Sequence, residues 1–298
     1  MIIKSLILLL CLIIASMFFI PNEETITISA CFTTNQNCTA FVADYISSHN
    51  VTCAFYELNE PIIIEALKNT TVLIDDDNAH KSEYKNLIPI HMSGLMHHKF
   101  CTDGKSIFTG SLNPTKNGFY KNNNHALIIE NEKIAKMYQK EIINLKNNSR
   151  TPTSITIKTE NISIEAIICR KNCNKKIVDE IHKSKRSVNF MIFTFTEKSV
   201  LYALLDAKTR NITIQGIVEK RSASHDAYRL LSYQDINISF DKNPATMHHK
   251  VFIIDNKTVV AGSFNPTKNA DERNAENIVI MKSNVIAKWY LEEFDRIS

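Results

Sequence analysis

The sequence has no pronounced excess of charge of either sign: 35 Lys and Arg stand against 31 Asp and Glu, a formal net charge of +4 over 298 residues. That balance excludes the dense positive stripe of a dedicated DNA-binding domain while tolerating a phosphate-bearing partner. There is no cluster of carboxylates of the kind that cages Mg²⁺ or Ca²⁺, so a phosphate site here requires no metal cofactor. Of the seven cysteines, the close pairs Cys31/Cys38 and Cys169/Cys173 lack the additional ligands of a zinc site. Tryptophan occurs once, at Trp289, in a C-terminal stretch whose apolar positions Val285, Ile286, Tyr290 and Phe294 read as the core face of an amphipathic helix.

What is present begins with MIIKSLILLLCLIIASMFFI, where Lys4 precedes an apolar run from Leu6 to Ile20 and Pro21, Glu23 and Glu24 follow it. The segment reads as a signal anchor or signal peptide over residues 1–20. At roughly 1.5 Å per residue the run reaches about 22 Å, short of the roughly 30 Å hydrocarbon core unless Ile2 and Ile3 extend it. No Ala-x-Ala cleavage site stands near Ser16, which favours an anchor, and the charge asymmetry predicts a membrane-anchored or secreted chain whose bulk is extracytoplasmic. In such a compartment the six cysteines beyond Cys11 can form disulfides, with Cys31/Cys38 and Cys169/Cys173 the first pairs to test.

The chain is also written twice. MHHKFCTDGKSIFTGSLNPTKN at Met96–Asn117 returns as MHHKVFIIDNKTVVAGSFNPTKN at Met247–Asn269, and IAKMYQKEI at Ile134 returns as IAKWYLEEF at Ile286. A duplicated unit of about 150 residues follows, with halves at 21–150 and 151–298 joined near Asn144–Thr156, where polar residues and Pro152 break the pattern. In the second copy ISIEAII, SVNFMIFTF, ITIQGIV, MHHKVFIID, TVVAGSF and NIVIM read as strands. CNKKIVDEIHKSK, KSVLYALLDAK and SNVIAKWYLEEFDRI read as helices. This alternation predicts an α/β sandwich in each half.

The repeated string is an inventory for handling phosphate. Histidine attacks or donates a proton near neutral pH, lysine and asparagine hold anionic oxygens, and a Gly-Ser turn adds donors. Cleaving a phosphodiester covalently needs one group to attack phosphorus and another to protonate the leaving oxygen, and two copies facing each other supply both. The duplication thus predicts one active site across the interface of two pseudo-symmetric halves. A single chain is then sufficient, without a homodimer.

His248-x-Lys250, Asp255 and Gly262-Ser263-Phe264-Asn265, with their first-copy counterparts, resemble the HKD signature of the phospholipase D superfamily. The resemblance covers essentially everything from about Ile26 onward. It implies a duplicated phospholipase D-like α/β sandwich and a phosphohistidine intermediate formed by one motif histidine, with the other as acid and then base. It implies a catalytic set of His97, Lys99, Asp103, His248, Lys250, Asp255 and Glu276, and phosphate binding by Ser111, Asn113, Ser263 and Asn265, with Asp103 and Asp255 as organising groups. Two departures stand out. In the first copy Lys99 and Asp103 enclose three residues rather than four, so that Asp103 is displaced or Gly104 absorbs the slip. The acid that follows the second motif, Glu276, has His125 at the position aligned with it in the first. Placed beside His248, Glu276 would favour that imidazole's protonated form, making His248 the acid and His97 the nucleophile. Decay of the first site to a pseudoenzyme, leaving a non-catalytic phosphate-binding module, is the competing expectation.

His98 and His249 follow the catalytic candidates, but adjacent strand residues point to opposite faces, so each is expected to pack and hydrogen-bond rather than share a metal. The loop KNGFYKNNN, Lys116–Asn124, offers either aromatic stacking and cationic contacts to a nucleic-acid strand or a plain solvated surface, and its counterpart KNADERN carries acids. Halves this compact leave little room for inserted apolar loops that would admit acyl chains, and lysines gather around the motifs. A nucleic-acid substrate is therefore favoured, with a phospholipid, approached through the N-terminal anchor, as the alternative.

Overall fold

The computed structural model describes residues 25–68, 70–222 and 226–298, so the N-terminal apolar segment and its expected anchor role lie outside the described residues. Among the described residues no helix is long and apolar enough to cross a membrane.

The first half runs β1 (Thr27–Phe32), α1 (Cys38–Ser48), β2 (Thr52–Phe55), α2 (Pro61–Leu67), β3 (Val72–Asp75), α3 (Asp76–Ala79), β4 (Leu87–Ile90), β5 (Lys99–Thr102), β6 (Ser106–Gly110), α4 (Lys116–Tyr120), β7 (His125–Glu130) and α5 (Glu132–Lys146). The second runs β8 (Thr153–Lys158), β9 (Ser163–Cys169), α6 (Cys173–His182), β10 (Ser187–Ile192), α7 (Lys198–Thr209), β11 (Thr213–Val218), a short 3₁₀ turn, α8 (Asp226–Tyr233), β12 (Asn237–Phe240), β13 (Lys250–Ile254), β14 (Thr258–Gly262), α9 (Lys268–Glu272), β15 (Glu276–Lys282) and α10 (Asn284–Ile297). One sheet has the order β1-β7-β6-β5-β2-β3-β4 and the other β12-β11-β10-β13-β14-β15-β9-β8. Read from opposite ends the two orders coincide strand for strand, with β8 added at the edge of the second. In each sheet three strands run parallel, β2-β3-β4 and β10-β11-β12, and the motif strands pair antiparallel beside them.

Period-two alternation explains how two sheets serve three apolar layers. Cys53 and Phe55 of β2, Val72 and Ile74 of β3, and Phe108 of β6 face an outer layer under α1 and α2. Ala54, Leu73 and Ile107, the residues between, face a central layer. The second sheet does the same: Phe252, Ile254 and Val260 pack outward against α6, α7 and α8. Val251, Ile253, Val259 and Ala261 join the central layer with Tyr138 of α5 and Tyr290 of α10. Strands apolar on both faces, such as VFII and TVVAG, are what a sheet covered on both sides requires. The expected α/β architecture is observed with two sheets. β8, β12 and α8 are not among the expected elements; β8 and β12 are edge strands with alternating exposed positions and carry no apolar run.

Cys31–Cys38 and Cys169–Cys173 are bonded, and Cys53–Cys101 bridges directly paired positions of β2 and β5. Trp289 packs partly buried against the central layer, as expected for that helix.

Candidate active site

The two motif histidines meet where the halves exchange backbone. Just before β5, Met96 bridges Ala275, and just before β13, Met247 bridges Asn123. His97 N–H donates to Ala275 O at 3.0 Å and His248 N–H to Asn123 O at 2.9 Å. Each histidine is therefore seated by the segment preceding the last strand of the opposite half. A buried carboxylate steadies each seat: Asp75 accepts Met96 N–H at 2.9 Å and Glu219 accepts Met247 N–H at 2.7 Å.

That exchange decides which group orients which imidazole. Glu276, fully buried, accepts from His97 Nδ1, 2.8 Å away, and from Ser263 Oγ at 2.6 Å. His248 Nδ1 donates to Asn124 Oδ1 at 2.9 Å and Ser111 O at 3.1 Å, and Ser111 Oγ donates to Asn124 Oδ1 at 2.9 Å. Glu276 therefore lies beside His97 and not, as expected, beside His248, because the bridge at Ala275 carries β15 across the interface. The aligned position in the first half is Asn124 and not His125: Ser111 Oγ accepts His125 N–H just as Ser263 Oγ accepts Asn277 N–H. Counting from the Gly-Ser pairs, rather than from the following strands, gives this alignment from sequence alone. Both rings donate from Nδ1, so Nε2 is left as the free lone pair, with no partner among the described residues.

Lys99 and Lys250 are buried, and each donates to the carbonyl of its own motif histidine at 2.7 Å. Tyr56 stands edge-on to the His97 ring at 4.8 Å and lies under Lys99 Nζ at 5.2 Å. Phe193 takes the same place beside His248 and Lys250, at 4.9 Å from each. Sequence reasoning missed both aromatics, as it did Asn124, Asp75 and Glu219. Extending the repeat upstream to VLID and GIVE would have found the two acids.

Burial dominates the electrostatics. It holds the His97 imidazole down at about 4, against a smaller upward pull from Glu276. Burial, with Lys250, Lys99 and His97 nearby, pushes His248 well below its ordinary value. Lys99 is lowered to about 8 by burial, and Lys250 falls well below the usual lysine range through burial and the neighbouring Lys99. Burial alone would raise the Glu276 carboxyl, but His97, Lys99 and Ser263 hold it below the usual carboxylate range. Each imidazole thus feels both lysines: this is one electrostatic site, built from both copies. Asn113 and Asn265 each present a buried amide oxygen without a partner, and an amide exchanges the places of its O and N by a simple flip. Each copy of the motif thus holds one buried amide with unmet hydrogen-bonding capacity.

The remaining motif residues do structural work. Ser111 and Ser263 spend their hydroxyls on Asn124 and Glu276 rather than facing open space. Asp103 and Asp255 stand at the far ends of β5 and β13, away from the histidines. Asp255 accepts the N–H groups of Lys185, Arg186 and Ser187, fixing the turn before β10. Asp103 accepts Lys105 N–H, Ser106 N–H and Ser106 Oγ within its own hairpin. Thr102 pairs with Ile107 whereas Ile254 pairs with Thr258, so the shorter first hairpin puts Asp103 in register with Ile254, with Gly104 at φ +84° closing the tighter loop. The missing residue is absorbed there and the histidine end is unaffected. His98 and His249 are fully buried, on Asn277 and Glu141 and on His125 and Glu293 respectively. In the loop after the first motif Phe119 is core and Tyr120 is exposed.

The chain matches the family model described as "Cardiolipin synthase, PLD-like domain" over residues 59–146 and 177–298. It is 32% identical over 124 residues to the phospholipase D of Rickettsia prowazekii, covering 41% of this chain and 60% of that protein. It is 32% identical over 117 residues to the mitochondrial cardiolipin hydrolase of Xenopus tropicalis, covering 39% of this chain and 56% of that protein. The chain thus spans less than two thirds of the length of these relatives. The fold is similar to that of the phosphatidylserine synthase of Haemophilus influenzae, with a TM-score of 0.71 at 11% identity over 91% of this chain and 85% of the other. With the histidines and lysines of both motifs brought to one site and the family model matched over more than half of its residues, the chain belongs to the phospholipase D superfamily.

Proposed function

We propose that the protein is a phosphodiesterase working through a phosphohistidine, and that its substrate is a nucleic-acid strand. The observation that carries the reaction is the crossed pairing of imidazoles: His97 on the second half's Glu276, His248 on the first half's Asn124, both with Nε2 free. His97 Nε2 attacks phosphorus; the P–N bond forms as the bond to the leaving oxygen breaks, and His248 delivers its proton to that oxygen. A water then gives a proton to His248 while its oxygen attacks phosphorus, and the P–N bond breaks to restore neutral His97. The attacking ring becomes cationic for the lifetime of the intermediate, and Glu276 is placed to stabilise that charge and to hold the proton on Nδ1. Glu276 thus supports His97 as nucleophile on different grounds from those expected of it beside His248.

In the free protein both rings are neutral at pH 7. A bound phosphodiester anion offsets Lys99 and Lys250 and lets His248 take up its proton with the substrate. Lys99, Lys250, Asn113 and Asn265 hold the non-bridging oxygens, so turnover is expected to persist in EDTA. Rapid quenching with a ³²P-labelled strand should leave label on the peptide containing His97; label on His248 overturns the assignment, and no labelled intermediate overturns covalent catalysis.

For the substrate, the support is the pair of lysines, Lys99 and Lys250, buried with the two motif histidines, which suits a phosphate-bearing strand, and the pair of exposed rings, Tyr202 and Tyr233, that share a groove in the second half with Lys198 and Arg229. A phospholipid substrate is the second reading, favoured by the printed names of the relatives and by the apolar N-terminal run. Parallel assays on single-stranded and double-stranded nucleic acid and on cardiolipin and phosphatidylcholine vesicles separate the two, and cleavage of lipid alone rejects the first. An oxidising, extracytoplasmic location is part of the proposal, supported by the three disulfides.

A further inference from the structure

A groove of about 650 Å³ lies between α7 and α8 of the second half, outside the catalytic cluster. Its floor includes Leu201 and Leu230, and its rim carries Lys198, Tyr202, Arg229 and Tyr233. The two tyrosines are 60% and 82% exposed, unusual for rings of that size beside a concave surface. Neither Lys198 nor Arg229 has an ion pair with a described residue.

One short segment links the groove to the active site. Phe193 stands against the His248 ring, and three residues later Thr196 lines the groove while its N–H donates to Pro266 O, in the motif of the same half. Three residues span at most about 10 Å, so Thr196 lies within that reach of Phe193. The first half has the same connection, Asn59 and Glu60 N–H on Pro114 O, but different surroundings. There β3 leads into the four-residue α3 with exposed Asp76 and Asp77, which repel a polyanion.

We infer that the groove is a one-sided subsite for the nucleotides flanking the scissile phosphate of a single-stranded nucleic acid, with Tyr202 and Tyr233 stacking on bases and Lys198 and Arg229 contacting phosphates. The inference rests on the nucleic-acid reading of the active site and adds a direction: the strand continues over the second half alone. Stacking on exposed aromatic rings with cations alongside is the arrangement that single strands exploit, and duplex DNA, whose bases are already stacked, gains little from it.

The test uses the full chain with a single-stranded oligonucleotide and a dinucleoside monophosphate, the latter too short to reach the groove. Tyr202→Ala with Tyr233→Ala should lower kcat/KM on the oligonucleotide by about a hundredfold, roughly tenfold per lost stack. The dinucleoside should be cleaved as by the unaltered protein. Tyr202→Phe with Tyr233→Phe should restore the oligonucleotide rate, since the ring and not the hydroxyl stacks. Lys198→Ala with Arg229→Ala, measured as binding in a His97→Ala background, should reduce the slope of log affinity against log salt by about 1.4. Unchanged oligonucleotide kinetics in the tyrosine double variant, in a protein that does cleave nucleic acid, overturns the groove and leaves the nucleic-acid reading standing. Equal losses on both substrates overturn it as well, by showing a structural effect. If the unaltered protein cleaves only phospholipid vesicles and the tyrosine variant slows that cleavage, the groove holds acyl chains and both readings fall.

Discussion

The two halves share one strand order and one motif, yet differ where chemistry is asymmetric. At His97 the ring is held by a carboxylate; at His248 the equivalent position is the amide of Asn124. A phosphoryl-transfer cycle needs one imidazole that becomes and stays cationic while bonded to phosphorus, and another that alternates between donor and acceptor. Duplication built a near-symmetric pair, and in the mechanism proposed above the difference between Glu276 and Asn124 is what divides the labour between them.

The largest expected effect breaks the pair outright. His97→Ala should cost on the order of 10⁶ in kcat, the scale at which loss of a nucleophile leaves only residual catalysis. His248→Ala should be comparably damaging in turnover, because the attacking water still needs His248 as its base, but the single-turnover burst of a nitrophenolate, which departs without a proton, should slow by only about tenfold to a hundredfold. Kinetics on matched diesters decides this, and the reverse pattern would exchange the two roles.

Next, Glu276→Gln should lower kcat by on the order of 10³ to 10⁴, because the amide can turn its NH₂ toward His97 Nδ1 and select the tautomer whose Nε2 is protonated and cannot attack. Asn124→Asp sharpens the comparison from the other side. A carboxylate on His248 Nδ1 raises that imidazole's pKa and should move the alkaline limb of the kcat profile upward by about one unit or more. No movement of that limb would mean that His248 is not the acid.

Buried neutral histidines also make stability depend on pH. His97 lies at about 4 against 6.5 in the unfolded chain, and His125 and His248 are lowered in the same direction. Between those values the unfolded state binds more protons, so stability is fully present above about pH 6.5 and is lost as pH falls toward 4. From His97 alone the loss is about 3 kcal/mol at the acid end. Urea titrations across that range should show the midpoint falling; a midpoint flat down to pH 4 would contradict neutral burial.

How much of this was legible follows from what repeats and what does not. The two-sheet α/β architecture was readable because VFII, TVVAG and IVIM are apolar on both faces. His97, Lys99, His248 and Lys250 were readable because their spacing repeats. The partner of each histidine was not, since it depends on a bridge between Met96 and Ala275, 179 residues apart, that no local pattern announces. Tyr56 and Phe193 were hidden for a simpler reason: an aromatic that ends a buried strand looks like core until the ring beside it is known.

The subtlest difference between the halves lies in the central layer. Asn277 accepts from His98 Nδ1 while its amide donates to Thr109 Oγ1 and Tyr138 Oη. Its equivalent, His125, donates to His249 Nδ1, with His249 Nε2–H on Glu293, so that His125 Nε2 and Tyr290 Oη are left buried without partners. His125→Asn copies the satisfied arrangement, letting the new amide reach Tyr290, but it also removes ring volume stacked on His249. At about pH 8 the gained hydrogen bond and the lost packing should offset to within about 1 kcal/mol. At about pH 5 the variant should be the more stable protein, because its unfolded chain no longer gains the proton that His125 refuses when folded. A variant that loses more stability at the lower pH than at the higher would show that His125 is charged in the core, and that the two halves differ there in charge as well as in hydrogen bonding.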